Sequence, residues 1–159
     1  MNEANDPRAG LPARIAAVAK ERGLRVAACE SLTGGLLCAE LAQAPDAGTW
    51  FAGGIVAYLS QVKFDLLGVP PGPVVSETAA RAMAQGVARL TGATHTVAVT
   101  GVGGPDQQDG EPVGTVWIAT HADGTTAARR LKLSGDPGQI CRGAVLHSLL
   151  SLESALRLP

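Results

Sequence analysis

Apolar residues first recur at helical spacing at Leu11, Ile15, Val18 and Ala19, with Pro12 in the opening turn and Gly23 as a stop; this predicts a helix. Leu24 to Ala28 is a short β-capable run. Thr33 to Ala42 reads as a helix, with Leu36, Leu37 and Leu41 on one side and Pro45 ending it. Gly53 to Leu59 predicts a second strand, and Gln61 to Leu67 a short helix closed by Gly68, ahead of a turn-rich stretch at Pro70, Pro71, Gly72 and Pro73. Ser76 is placed to cap an Ala-rich helix running to about Leu90 and stopped by Gly92. Thr96 to Thr100 predicts a third strand, leading into Gly101-Val102-Gly103-Gly104-Pro105. Gln107 to Glu111 is polar and is expected to be a mobile loop. Val113 to His121 and Thr125 to Leu133 predict two strands joined by a hairpin turn at Asp123-Gly124. Asp136-Pro137 pairs a good cap with a good first residue and opens a last helix through Leu156.

The resulting order is α-β-α-β-α-α-β-β-β-α. Early alternation favours parallel strands with crossover helices, and the hairpin adds an antiparallel strand. The expected fold class is α/β: a three-layer α/β/α sandwich around a mixed, mostly parallel five-stranded sheet. No linker interrupts it, so residues 1–159 are expected to form one domain, with a disordered tail over 1–10.

Composition narrows the function. With 46% hydrophobic and 17% charged residues the chain reads as globular, and with 3% aromatics its core must come from Ala, Val, Leu and Ile. Thirteen basic and 14 acidic residues are scattered, which argues against a nucleic-acid surface but leaves room for a small anionic ligand. Cys29, Cys38 and Cys141 form neither a C-x-x-C pair nor a metal-ligand spacing, and an odd count suits a reducing compartment. No signal-peptide pattern or membrane-spanning run is present, so a cytoplasmic location with no membrane partner is expected.

In sheets of this kind ligands sit beyond the carboxyl ends of the parallel strands. Three unusual segments fall there: Glu30 to Gly35, Tyr58 to Lys63, and Thr100 to Pro105. Ser31 and Thr33 stand at the mouth of a predicted helix, whose opening N–H groups suit an anion or an oxyanion. They serve equally as ordinary caps. Gly34 and Gly35 allow close approach to the backbone. Lys63 beside a serine in a dry cleft is the arrangement of Ser–Lys catalysis, with Tyr58 as a relay; a solvated lysine and a packed tyrosine fit the same residues. Gly101, Gly103 and Gly104 form either a phosphate-binding set of N–H donors or a tight turn. Arg142 is a candidate phosphate partner. His95, His121 and His147 lie on different predicted elements, so no metal site is expected.

Taken together, these segments resemble the C-terminal domain of the CinA (competence/damage-inducible) family, in the stand-alone form known as nicotinamide-nucleotide amidohydrolase. The family's A-E-S-C-T-G-G stands here as Cys29-Glu30-Ser31-Leu32-Thr33-Gly34-Gly35, and its G-x-V-x-Y-S-N-x-x-K as Gly54 to Lys63. Its V-S-E and M-A stand as Val75-Ser76-Glu77 and Met83-Ala84, and its T-G-I-A-G-P and K-P-V-G-T-V as Thr100 to Pro105 and Glu111 to Val116. The resemblance implies hydrolysis of the carboxamide of nicotinamide mononucleotide to nicotinic acid mononucleotide and ammonia, without metal or cofactor. It implies Ser31 as nucleophile with Tyr58 and Lys63 as relay and base. Substrate contacts would come from Glu30, Thr33, Gly34, Gly35, Thr100, Gly101, Gly103, Gly104 and Arg142, in a homodimer.

The chain departs from the family pattern near the site. Leu32 replaces a cysteine, Leu59-Ser60 replaces Ser-Asn, and Glu111 replaces a lysine. Asp46-Ala47-Gly48 stands in place of Gly-Ser-Ser. Where the family has G-D-R-x-x-(I/V)-R, the chain reads Gly135-Asp136-Pro137-Gly138-Gln139-Ile140-Cys141, with Arg142 one position later. Two alternatives therefore stand beside the amidohydrolase: a non-catalytic nucleotide-binding or interaction domain, and an amidase with a shifted substrate.

Overall fold

The computed structural model describes residues 7–158. The disordered tail expected over 1–10 thus lies largely outside the described residues; Pro7 to Gly10 form turns ahead of the first helix. The elements are α1 (Leu11–Glu21), β1 (Val26–Glu30), α2 (Leu36–Ala42), α3 (Ala47–Trp50), β2 (Phe51–Val56), α4 (Ser60–Leu67), α5 (Glu77–Thr91), β3 (His95–Gly101), β4 (Thr115–Ala122), β5 (Thr125–Lys132) and α6 (Pro137–Leu156).

The strands form one five-stranded sheet in the order β2-β1-β3-β4-β5. β1 pairs parallel with both β2 and β3, while β4 runs antiparallel to both its neighbours. Only β4 therefore opposes the common direction, and the mixed, mostly parallel α/β/α sandwich read from the sequence is the fold observed.

Strand alternation sorts the core into two layers. Val26, Ala28, Val97, Val99, Val116 and Ile118 pack with Leu11, Ile15, Leu37, Leu41, Trp50 and the inner side of α6. The opposite face offers small residues, Ala27, Cys29, Ala98 and Ala119, to α5 and Leu67 of α4. Small residues there let helices approach closely. A Cβ on Gly86 of α5 would lie 2.3 Å from the Leu67 carbonyl oxygen, a separation that only glycine tolerates.

Several boundaries differ from the expectation, and one element is new. β1 begins two residues later than the apolar run and includes Glu30, whose burial is made possible by the hydrogen bonds described below. The helix expected from Thr33 starts at Leu36, because Gly34 and Gly35 hold left-handed φ values of 60° and 106° and keep 31–35 in turns. β2 ends at Val56, so Tyr58 and Leu59 leave the sheet before α4. The short α3 was not expected; Asp46 precedes it at φ 53°, and the buried Trp50 indole donates to the Pro45 carbonyl at 3.0 Å.

Candidate functional site

Side-chain alternation along β1 sends Cys29 toward α4 and α5, and Glu30 to the opposite face, toward α2. Glu30 is fully buried. Its Oε1 accepts from Thr33 Oγ1 at 2.6 Å, from the Gly35 amide at 3.2 Å and from the Leu37 amide at 2.9 Å. Its Oε2 accepts from the Cys38 amide at 2.9 Å. The carboxylate thus satisfies the opening donors of α2 from outside the helix, where charge and helix dipole agree in sign.

This corrects two expectations. Neither Ser31 nor Thr33 caps α2: its N-cap position is Gly35, with no side-chain cap. The helix-mouth amides expected to receive an anion are already engaged by Glu30. Thr33 likewise spends its hydroxyl on Glu30. Among the described residues, the amides of Leu32 and Thr33 in this turn donate to no partner.

Ser31 is left free by the same arrangement. Its carbonyl accepts from the Gly34 amide at 3.0 Å, which closes the turn, while its hydroxyl bonds to no described residue. Ser31 and Leu32 line a cleft of about 200 Å³ together with Tyr58, Thr100, Gly101, Gly103 and Gly104. The three segments singled out in the sequence therefore do meet in one place. Thr100 contributes backbone and shape, since its hydroxyl donates to the Val74 carbonyl at 2.7 Å.

Lys63, on α4, is 1% exposed and is among the largest fully buried side chains of the protein. Its Nζ donates to the backbone carbonyl of Tyr58 at 3.1 Å. Burial pushes the ammonium below the usual lysine range, opposed by Cys29 once its thiol ionises and by Asp109. The Cys29 thiol is itself pushed up to about 12 by burial, so near neutral pH it is an uncharged neighbour. Lys63 lies outside the cleft lining and is not hydrogen-bonded to Ser31. Tyr58 is 69% exposed at the rim.

Arg142 is exposed, lies along Gly138 on the first turns of α6, and does not line the cleft. Glu111, where the resemblance leads one to expect lysine, pairs with Arg130 Nη2 at 2.5 Å. Among the described residues, no lysine or arginine lines the cleft, and Asp106 adds a carboxylate.

Sequence reasoning missed Val75, Asp106, Gln108 and Pro137, which also line the cleft. It also took Gln107 to Glu111 as mobile, whereas the segment is tied down. Gln108 and Glu111 exchange backbone hydrogen bonds at 3.2 and 2.8 Å, and Asp109 Oδ2 accepts from the amides of Val74 and Val75. The available signal was Asp109-Gly110 itself, a turn dipeptide of the kind read at Asp123-Gly124.

The family model of the CinA C-terminal domain matches residues 8–156. A CinA-like protein of Frankia casuarinae is 42% identical over 134 residues, covering 81% of this chain and 31% of that protein. A putative competence-damage inducible protein of Desulforamulus reducens is also 42% identical, covering 81% of this chain and 33% of its own length. The chain thus spans about a third of the length of these curated relatives. The solved competence damage-inducible protein A of Klebsiella pneumoniae superposes with a TM-score of 0.90 at 33% identity, covering 96% of this chain and 98% of that one.

Proposed function

The chain belongs to the CinA C-terminal domain family, and on that premise we propose that it is a Ser–Lys type amidohydrolase acting on the carboxamide of nicotinamide mononucleotide or a closely related amide. The observation that supports the reading is an unengaged Ser31 hydroxyl in a cleft rimmed by Tyr58, whose backbone carbonyl holds the desolvated Lys63.

The chemistry follows from those groups. Neutral Lys63 takes the Ser31 proton, directly or through the Tyr58 hydroxyl, as Ser31 Oγ adds to the amide carbon. Reaching Ser31 or the Tyr58 hydroxyl requires Lys63 Nζ to leave the Tyr58 carbonyl, and catalytic hydrogen bonds are commonly long before substrate binds. The free amides of Leu32 and Thr33 are the oxyanion donors. The lysine returns the proton to the leaving nitrogen, ammonia departs, and water adds to the acyl-serine with the same base, giving the carboxylate. The glycine loop at 103–104, whose amides also donate to no described residue, serves the anionic end of the substrate in place of the occupied α2 amides.

Purified protein is expected to release ammonia from nicotinamide mononucleotide, and Ser31→Ala or Lys63→Ala to abolish release while leaving the fold intact. A folded protein without turnover on the nucleotide or on its unphosphorylated nucleoside would leave the non-catalytic nucleotide-binding alternative.

One observation favours the shifted-substrate variant of this reading. Among the described residues no cation lines the cleft, which carries Asp106, so a dianionic phosphate gains no charge-assisted partner from them there. Under that variant the nucleoside is turned over faster than the nucleotide. A homodimer belongs to the same proposal. It is supported by the unpaired outer edge of β2 and the exposed Val56, Tyr58 and Leu59 beside it, and sedimentation velocity tests it.

A further inference from the structure

Residues 103–113 form a small hairpin beside the cleft, and its tip is Asp109-Gly110, both at positive φ (55° and 76°) between the paired Gln108 and Glu111. The tip is docked. Asp109 Oδ2 accepts from the Val74 amide at 2.7 Å and from the Val75 amide at 3.0 Å. The same dipeptide is held from its other side by Thr100, whose hydroxyl donates to the Val74 carbonyl at 2.7 Å. Val75 on one bank, and Asp106 and Gln108 on the hairpin, all line the cleft that contains Ser31. One carboxylate oxygen therefore joins two banks of the cleft that the sequence separates by more than thirty residues.

We propose that Asp109 is a positioning residue, pinning the hairpin to the Val74–Val75 segment across the cleft.

As an acceptor for two amides the carboxylate fixes geometry, and an asparagine oxygen in the same place does so too, whereas alanine leaves both amides without their partner.

The experiment compares Asp109→Asn and Asp109→Ala with the unmodified chain by amide hydrogen exchange over residues 72–76 and 103–113. Asp109→Ala is expected to raise exchange at Val74 and Val75 by at least about tenfold, and Asp109→Asn, which keeps an acceptor oxygen, to leave it within about twofold. Unchanged exchange in Asp109→Ala overturns the pin, and so does an equal rise in both variants. The meaning of the pin for catalysis rests on the amidohydrolase reading, under which kcat/KM falls in Asp109→Ala and is retained in Asp109→Asn. The exchange needs no turnover, so absence of ammonia release would count against the reaction and leave the positioning role to be decided by exchange.

Discussion

Thr33 Oγ1 donates to Glu30 Oε1 at 2.6 Å inside the protein, with the α2 amides converging on the same carboxylate. This contact, rather than a helix cap, shapes the turn that presents Ser31. A buried acid that accepts four hydrogen bonds stabilises only while all of them are made, because each orphaned donor then carries its desolvation cost. Glu30→Ala is expected to lower stability by at least about 3 kcal/mol and to cost activity with it, as measured by urea unfolding. Thr33→Val, which leaves the three amides in place, should cost roughly 1 kcal/mol. Equal losses in the two variants would show that the amides contribute little.

Lys63 presents the opposite balance. Its ammonium is buried with one hydrogen bond to a neutral carbonyl, and burial depresses its folded-state pKa below the ordinary value of 10.5. Between the two values the unfolded chain binds more protons than the folded one, so stability rises with pH through that window and the burial penalty is present below it. Lys63→Met keeps the volume and removes the charge. It is expected to abolish turnover, to stabilise the fold at pH 7 by about 1 kcal/mol or more, and to flatten the rise of stability toward pH 10. A less stable Lys63→Met protein at pH 7 would mean that the ammonium is not held at a cost.

Gly54 lies where β2 meets α2. A Cβ there would come within 2.2 Å of Cys38 Sγ and 2.9 Å of the Ala28 carbonyl oxygen. Gly54→Ala is therefore expected to destabilise by roughly 2 kcal/mol or more through overpacking. Adding Cys38→Ala should recover only part of that loss, since the backbone contact remains. Thermal unfolding of the two variants and of Cys38→Ala alone completes the cycle, and full recovery would place the whole clash on sulfur.

His95 is 1% exposed, and burial, chiefly, holds its pKa below 6.5. His147 is shifted in the same direction, again led by burial. A histidine kept neutral in the fold contributes full stability above its unfolded value, and loses it as pH falls from about 6.5 toward the lower folded value. Melting temperature is thus expected to fall between pH 7 and pH 5, and His95→Asn should make that slope shallower. An unchanged slope would assign the acid sensitivity elsewhere.

Local chemistry was legible wherever it acts over a few residues. Asp136 and Gln139 close a capping box at the start of α6, as the Asp-Pro pair implied. Ser76 accepts from the Ala79 amide at 3.1 Å at the start of α5, and Asp123-Gly124 turns β4 into β5. Ser31, Tyr58 and the glycine loop were also legible as neighbours, because each follows a strand of the same direction and sheet geometry gathers such ends into one cleft.

What was not legible depends on which side chain answers which donor across space. Thr33 looked like a cap because Thr commonly is one, and only the packing of β1 against α2 shows that Glu30 took the role. The Gln107–Glu111 segment looked mobile because it is polar, and only the approach of Val74 and Val75 to Asp109 reveals a docked turn. Arg142 matched an anion partner by charge, yet the rotation of α6 leaves it outside the cleft.

The amino-acid order by itself determined ten of the eleven elements, their sequence along the chain, the sheet class and the family motifs, because periodicity, caps and turns are short-range. The tertiary structure alone decided that Glu30 is a buried scaffold acid, that Lys63 is dry and bound to Tyr58, and that Asp109 joins two banks of the cleft. Those facts are burial and long-range hydrogen bonding, and both exist only once distant segments share one low-dielectric interior.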